Sequence, residues 1–441
     1  MPTPSGLSRR SFLCAGAAAP LGAAAAKPNI VFIFSDDHHW QCLAANGNPH
    51  ILTPNLDRLA ARGVNFTNGL ITTSQCAPSR GIMLSGLETF QSGLLSNGQT
   101  SFRPGRGPTA VEQLRTSGYD TVLVGKWHIR PTPSSCGFAK APLWLAGGAS
   151  KYQDPELRRG HSTSNETVPG HITDLWTSAA CEYLDSARQP FLLWLAYNAP
   201  HSPWYASAEF RRHYDGKDPA SIAPPAHPPG GSPYDWVTYY SVITHLDQGV
   251  GRVIETLERR KLWDHTLVFF LGDNGFMCGT KGISGKVVPY EESVRIPFLA
   301  AGGPVRMKMK QDMPAASIDL PATRLDYAGV KPANPLAGRS LRRALTDGEP
   351  DRDAAFVTWA DGRPNALATG RPVEPFRLVR TRTHKLIRWE SGREELFDLR
   401  EDPAETRNLA AEADRAGLAG ELRGRLAARM KETADPALAW L

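Results

Sequence analysis

The hydrophobic residues of the chain fall into short continuous runs that alternate with segments of helical spacing. The first run, 28–34 (P-N-I-V-F-I-F), is β-branched and aromatic, which is typical of a strand buried on both faces of a sheet. From 234 to 259 the apolar residues recur at helical spacing, as on one face of a long helix. The other strands predicted in this way are 121–124, 191–197, 267–271 and 297–300, and the other helices are 56–62, 110–117 and 173–187. This alternation predicts an α/β fold with a large, mainly parallel sheet flanked by helices.

The pattern changes after about residue 345, where short apolar runs follow each other closely. These runs predict a small C-terminal antiparallel sheet, followed by a polar helical tail that begins at Asp402-Pro403. The predicted division is therefore an α/β domain over 27–345 and an α+β subdomain over 346–441. The predicted C-terminal strands are 356–359, 376–380, 385–389 and 395–399, and the Pro- and Gly-rich stretches 131–170 and 216–233 are predicted to be long loops.

The first 26 residues form a separate segment. Arg9 and Arg10 are followed by an Ala-rich apolar run, which predicts a bacterial twin-arginine signal peptide over 1–26. An N-terminal membrane anchor is the alternative, but this run is short and diluted by Gly and Ala. The prediction implies export by the twin-arginine translocase to the periplasm or the medium, with no stable membrane insertion.

Composition narrows the functional classes. Hydrophobic residues make up 41% of the 441 and charged residues 21%, as in an ordinary soluble globular protein. Removal of the arginine pair lowers the formal charge from +6 to +4, and the remaining charges are mixed along the chain. We therefore predict no nucleic-acid partner. Five cysteines remain after residue 26, without zinc-site or disulfide-framework spacing, so at least one thiol is unpaired.

Carboxylates follow two of the predicted strands. Asp36 and Asp37 come directly after the first strand, and Asp273-Asn274 follows the strand 267–271. Open α/β sheets place their ligands at this edge. Three carboxylates and an amide oxygen form an oxygen-only site, which selects calcium or magnesium over zinc. Simple turn chemistry is the alternative for each pair.

The segment 76–80 (C-A-P-S-R) combines a thiol with a guanidinium. Pro78 suits the first turn of a helix, which puts Cys76 near the N-terminus, where the helix dipole favours an anion. Arg80 is four residues further on and returns to the same face. These residues predict an oxyanion-binding site, unless the cysteine is only a small buried hydrophobe.

Further cations and imidazoles follow the predicted strands. Lys126 and His128 are two residues apart and point to the same side of an extended segment, which suits anion binding and proton transfer. Solvated polar residues at a strand end are the alternative. His201 and Lys286 also follow predicted strands and are further candidates. His38 and His39 point either into the same pocket or into solvent.

Taken in order, these motifs resemble those of the type I sulfatases of the alkaline phosphatase superfamily. The segment 76–80 is similar to the C-x-P-S-R modification motif of that family, and 118–128 is similar to its second signature. The segments 28–37, 273–275 and 395–403 are also family-like. The resemblance covers nearly the whole chain after residue 26 and implies an alkaline-phosphatase-like sheet, with 27–345 as the catalytic domain.

The resemblance also implies an activity. Cys76 would be converted to 3-oxoalanine (formylglycine) by a maturation enzyme, and its hydrated aldehyde would attack an organic sulfate, such as a sulfated sugar, through a covalent sulfo-enzyme hemiacetal. The implied Ca²⁺ ligands are Asp36, Asp37, Asp273, Asn274 and the modified Cys76. The implied catalytic residues are Cys76, Arg80, Lys126, His128, His201 and Lys286.

Two alternatives remain at this point. A phosphonate monoester or phosphodiester hydrolase of the same fold can share the modified cysteine. A non-catalytic calcium- or carbohydrate-binding protein would keep the thiol. The segment 276–280 lacks the His and Glu often found there in the family, and this departure concerns the substrate contacts rather than the proposed chemistry.

Overall fold

The computed structural model describes residues 27–98, 102, 107–188, 190–227, 233–362 and 373–441. The predicted signal peptide, 1–26, lies outside the described residues. Within these ranges, no helix combines the length and the hydropathy needed to cross a bilayer.

The strands and helices follow each other along the chain in the order that the sequence predicts for an α/β fold. The strands are β1 Asn29–Ser35, β2 Val64–Phe66, β3 Gly69–Leu70, β4 Asp120–Lys126, β5 Lys140–Leu145, β6 Glu156–Leu157, β7 Glu166–Thr167, β8 Phe191–Ala196, β9 Thr266–Gly272, β10 Phe298–Ala301, β11 Met309–Gln311, β12 Ala315–Ala316, β13 Ala354–Trp359, β14 Phe376–Thr381, β15 His384–Trp389 and β16 Glu394–Asp398. The helices are α1 Pro54–Ala61, α2 Cys76–Ser85, α3 Thr89–Ser92, α4 Ala110–Thr116, α5 Ile172–Ser186, α6 Ala208–Arg211, α7 Trp236–Arg259, α8 Glu291–Val294, α9 Asp319–Tyr327, α10 Arg342–Thr346 and α11 Ala416–Glu432.

The main sheet has eight strands in the order β11-β2-β10-β9-β1-β8-β4-β5. Strand β10 runs antiparallel to both of its neighbours, and every other adjacent pair is parallel. The predicted mainly parallel sheet is confirmed. Strand β1 is central and all seven of its residues are buried, which explains its uninterrupted apolar sequence.

Both faces of this sheet are covered. Successive side chains of β1 point to opposite faces, so Phe32 belongs to one apolar core and Val31 to the other. The first core includes residues from α2, α4 and α9, and the second includes residues from α1, α5 and α7. The apolar face predicted for the long helix is therefore one that packs on the sheet.

A second sheet, β13-β14-β15-β16, is wholly antiparallel. On one face, Leu422 and Leu426 of α11 pack with Leu386 and Leu396. On the other face, Ile387 belongs to an apolar cluster that includes Ile82 of α2. The predicted C-terminal antiparallel sheet with a helix is confirmed, and it supports the helix that begins at Cys76.

Two of the predicted segments have a different structure. Within 131–170, predicted to be a loop, β5 adds a parallel edge strand beside β4, and an edge position tolerates its Pro142. The helical tail begins at Ala416 rather than at Asp402. Asp402 instead accepts hydrogen bonds from the backbone N–H groups of Thr406 and Arg407 at 2.7 and 2.8 Å, which forms a turn.

A buried ionic cluster joins the C-terminal sheet to the chain that follows Lys286. The ammonium of Lys385, on β15, has no exposed surface; it forms an ion pair with Glu405 and donates a hydrogen bond to Glu291 at 3.2 Å. Arg380 of β14 also donates to Glu291, at 3.1 Å. These contacts fix α8 on the C-terminal sheet.

We predict that Lys385→Met lowers the free energy of unfolding by about 3–5 kcal/mol, because it leaves the buried carboxylates of Glu291 and Glu405 undercompensated. Urea unfolding followed by tryptophan fluorescence measures the change. Lys431→Met removes an exposed lysine from α11 and serves as the control. If both variants lose the same free energy of unfolding, the buried ionic cluster does not contribute more to stability than an exposed lysine does.

Candidate active site

The two predicted carboxylate pairs lie side by side at the carboxyl edge of the main sheet. Strand β1 pairs with β9 in a register that sets Ser35 opposite Gly272. Beyond this pair, the Asp273 N–H donates to the Ser35 carbonyl at 2.8 Å, and the His38 N–H donates to the Asn274 carbonyl at 3.1 Å. The two strand ends are thus joined by backbone hydrogen bonds, which brings Asp36, Asp37, Asp273 and Asn274 together as the sequence predicts.

A left-handed turn directs the first pair of carboxylates towards one place. Asp37 has a φ of 61°, an uncommon conformation for a residue with a side chain. The hydroxyl of Tyr239, on α7, donates to the Asp37 carbonyl at 2.5 Å and accepts from the His39 N–H at 2.9 Å. This buried hydroxyl bridges both sides of the turn and holds its shape. The sequence places Tyr239 only on a helix, so its role became visible only in three dimensions.

Cys76 is the first residue of α2, as predicted, and all ten residues of this helix are buried. Its Sγ lies 3.4 Å from Asp36 Oδ1 and 2.8 Å from Lys286 Nζ. The next backbone N–H, of Ala77, donates to Asn97 Oδ1 at 3.0 Å. The thiol therefore lies between a carboxylate and an ammonium group at a helix N-terminus.

Arg80 and Lys126, two of the candidate anion-binding residues, form ion pairs with carboxylates of the site. Arg80 Nε donates to Asp273 Oδ2 at 2.9 Å and Nη1 donates to the Lys126 carbonyl at 2.6 Å. The Lys126 ammonium forms an ion pair with Asp36, and all of these side chains are buried. The structure brings Arg80 and Lys126 together beside the carboxylates.

The carboxylate of Asp37 lies close to three further polar side chains of the site. It forms an ion pair with Lys286, and its Oδ1 accepts a hydrogen bond from Asn274 Nδ2 at 2.6 Å. His201 Nε2 lies 3.7 Å from Asp37 Oδ2. His201 and Lys286 thus reach the site from two further loops.

His128 lies at the margin of this group. Its ring packs against Gly148 so closely that a Cβ added there would lie 2.5 Å from the ring Nε2. Nδ1 has no hydrogen-bond partner among the described residues. Together with Ala77, the ring lines a cavity of about 540 Å³ beside the cysteine.

The other predicted histidines belong to the core. His38 bonds to the Ser35 hydroxyl at 2.8 Å and to the Cys42 carbonyl at 2.9 Å, and burial lowers its pKa to about 4. The His39 ring is buried and packs edge-on against Trp236. Both histidines are buried, so neither points into solvent.

The charges of the site shift its protonation equilibria. Burial by itself favours a neutral Asp36, but the neighbouring Lys126, His201 and Lys286 hold the pKa of this carboxyl well below its usual range. Burial and the charge of Asp36 raise the pKa of the Cys76 thiol to about 12. Below that pH the thiol stays protonated, so the encoded cysteine is a poor nucleophile at neutral pH.

Four side chains of the site could together hold a metal ion. One ligand atom from each of Asp36, Asp37, Cys76 and His201 lies within 4.8 Å of the other three. The Oδ1 atoms of Asp273 and Asn274 are buried and have no hydrogen-bond partner among the described residues. Buried polar oxygens are rarely left without a partner, and oxygen donors of this kind favour calcium or magnesium.

All five cysteines of the described residues carry free thiols. This agrees with the prediction that at least one thiol is unpaired.

Comparison with known proteins gives a consistent result. Residues 28–330 match the family model described as Sulfatase, and residues 279–432 match the model described as N-sulphoglucosamine sulphohydrolase, C-terminal. An ulvan-active sulfatase of Formosa agariphila is 28% identical over 93% of this chain and 82% of its own length. The chain belongs to the sulfatase family of the alkaline phosphatase superfamily, and it is a sulfuric ester hydrolase. The alternative of a non-catalytic protein is thereby set aside.

Solved structures share the fold. A protein in complex with its substrate D-glucosamine-2-N,6-O-disulfate has a TM-score of 0.79 and 23% identity, covering 93% of this chain and 99% of that one. A phosphonate monoester hydrolase of Agrobacterium radiobacter has a TM-score of 0.74 and 23% identity, covering 93% and 97%. At this level of identity, both structures establish the architecture alone.

We predict that Tyr239→Phe destabilises the protein by about 1–3 kcal/mol, because it leaves the Asp37 carbonyl and the His39 N–H without their buried partner. Urea unfolding measures the loss. Tyr205→Phe, at a tyrosine that is 51% exposed, is the matched control and should change stability little. A Tyr239→Phe protein as stable as the control would mean that the turn at Asp37 holds its shape without the hydroxyl.

Proposed function

We propose that this protein hydrolyses sulfate esters of sugars in a calcium-dependent reaction, with a formylglycine made from Cys76 as its nucleophile. The observation that carries this proposal is the position of Cys76, buried at a helix N-terminus 3.4 Å from Asp36 and 2.8 Å from Lys286. The proposal that the substrate is a sugar is supported by relatives of this chain, among them an N-acetylglucosamine-6-O-sulfatase of Bacteroides thetaiotaomicron.

The electrostatics of Cys76 argue for modification. A buried thiol whose pKa is raised to about 12 has almost no thiolate at neutral pH. Conversion of its CH₂–SH to an aldehyde gives a hydrate that carries two hydroxyl groups. One hydroxyl attacks sulfur, and the other later expels the sulfate by re-forming the aldehyde. A serine in this place has no second hydroxyl and would retain the ester.

The other residues have distinct proposed roles. Asp36, Asp37, Asp273, Asn274 and the modified Cys76 would hold calcium. Bound there, calcium supplies positive charge that stabilises the transferring sulfuryl group.

The cations Arg80, Lys126 and Lys286, close to the N-terminus of α2, would bind the sulfate oxygens. Arg80 is oriented for this by Asp273, and Lys126 and Lys286 form ion pairs with Asp36 and Asp37. His201 or Lys286 would protonate the departing alcohol, and His128 would remove the proton from the remaining hydroxyl.

The organisation of the chain completes the proposal. We infer a catalytic domain over 27–345, a C-terminal subdomain over 346–441, and export of the folded protein by the twin-arginine translocase. A maturation enzyme would act on Cys76 before export, and the product would work in the periplasm or outside the cell.

Hydrolysis of phosphonate monoesters or phosphodiesters is the second candidate. A curated relative of this chain, 26% identical over 90% of it, is described as a multifunctional alkaline phosphatase superfamily protein of Trinickia caryophylli. The same nucleophile and cations would serve either tetrahedral anion.

We predict that coexpression with a formylglycine-generating enzyme converts Cys76 to the aldehyde and switches on sulfatase activity. Peptide mass spectrometry of the segment 76–80 measures conversion, and release of sulfate measures turnover. Cys76→Ala, made under the same conditions, should lose turnover by at least about 10³-fold, because the nucleophile is gone.

Cys181→Ala is the matched control, since Cys181 is a free cysteine on α5 and is not among the proposed site residues. Unmodified protein with full activity, or a fully active Cys76→Ala variant, would overturn the mechanism. Parallel rates on a sulfated sugar and a phosphonate monoester decide between the two candidate substrates.

We predict that chelation of calcium by EGTA lowers sulfatase activity by at least about tenfold, because the carboxylates then lose the cation that they are proposed to hold. Added calcium should restore the rate and raise the melting temperature of the chelated protein, because a ligand that binds the folded state stabilises it. Asp37→Asn should lose the calcium-dependent rise in melting temperature. A wild-type melting temperature that does not respond to calcium would exclude a calcium site.

A further inference from the structure

The cavity beside Cys76 carries two arginines that the proposed chemistry does not use. It has a volume of about 540 Å³ and is lined by Ala77 and His128 on the side of the proposed nucleophile. Arg130 and Arg158 also line it. A space of this size falls within the range of about 300–1,000 Å³ that small-molecule sites occupy.

Arg130 follows His128 by two residues and is exposed. It has no hydrogen-bond or ion-pair partner among the described residues. Its guanidinium, with five N–H donors, is therefore available to a ligand in the cavity.

Arg158 is half-buried and is held in place by two neighbours. Its Nε donates to Asn165 Oδ1 at 2.8 Å, and its guanidinium lies 5.2 Å from the centre of the Trp144 ring. The backbones of Arg158 and Trp144 exchange two hydrogen bonds, at 2.8 and 2.9 Å. The guanidinium is thus oriented by neutral groups and forms no ion pair with a described residue.

The described lining residues of this cavity include no aspartate or glutamate. The next residue, Arg159, offers a contrast, because it forms an ion pair with Glu166 and does not line the cavity. A concave surface with two cations and no described acid favours an anion, and a planar guanidinium suits sulfate or carboxylate oxygens.

We propose that this cavity binds a second anionic group of the substrate, so that the preferred substrate is a sugar carrying at least one sulfate or carboxylate besides the ester that is hydrolysed. The inference rests on the proposed function, since it takes Cys76 as the point of attack. Arg130 and Arg158 bind the second anion, and the cleaved ester lies on the other side of His128. The two arginines determine specificity and take no part in bond breaking.

The test compares a monosulfated sugar with the same sugar carrying a second sulfate, and with a uronate that carries one sulfate ester. The modified wild-type enzyme should show a higher kcat/KM on the doubly anionic sugars. Arg130→Gln and Arg158→Gln should each lower kcat/KM on these sugars by about 10- to 100-fold, the loss expected for one charge-assisted contact. On the monosulfated sugar, the two variants should change kcat/KM by less than about threefold. Comparison of kcat/KM on the disulfated sugar with that on the sulfated uronate shows whether the cavity prefers sulfate or carboxylate.

Arg159→Gln removes a neighbouring charge outside the cavity and should leave all rates near the wild-type values. Arg130 has no hydrogen bond or ion pair to a described residue that its substitution could break, so this variant should fold as the wild type does. Equal losses on singly and doubly anionic sugars, or no loss in either variant, would overturn the second-anion site while the sulfatase activity stands. If the modified wild-type enzyme cleaves none of these esters, the proposed function itself fails, and the site with it.

Discussion

The structure depends on the burial of carboxylates at the ends of two adjacent strands. Asp36, Asp37 and Asp273 are all nearly without exposed surface, and their backbones are joined where β1 and β9 end. Carboxylates in such an environment need positive charge close by. Lys126 and Lys286 supply it from separate segments, so the ion pairs that neutralise the site also fix the relative positions of the loops around it.

This constraint extends to the C-terminal sheet. The chain after Lys286 runs directly into α8, whose Glu291 is held by Lys385 and Arg380 of β15 and β14. The same sheet packs on α2, the helix that begins at Cys76. The C-terminal sheet, which contributes no residue to the proposed chemistry, thus supports both the proposed nucleophile and one of its neighbouring cations.

The main sheet could be predicted from the sequence, because its central strands are buried on both faces. A short uninterrupted apolar run is typical of such a strand. The carboxylates at strand ends followed from the same strands. Strand β5 was missed, since an edge strand with a proline in a Gly-rich stretch has no clear period. The start of α11 was missed because Asp402-Pro403 favours a turn as well as a helix. The contacts of Tyr239 with the turn at Asp37 and of Arg158 with Trp144 join separate segments of the chain, and no local pattern encodes them.

The burial of Cys76 would set an order of events for the modification proposed at this residue. The residue has no exposed surface, and Ile82 of the same helix packs with Val357 and Ile387 of the C-terminal sheet. The helix is therefore covered completely only after the last strands have been synthesised. If Cys76 is modified as proposed, the converting enzyme would have to reach the thiol before the last strands close over α2. The active fraction of a preparation would then depend on the relative rates of modification and folding, and adding the enzyme to folded protein should convert little of it.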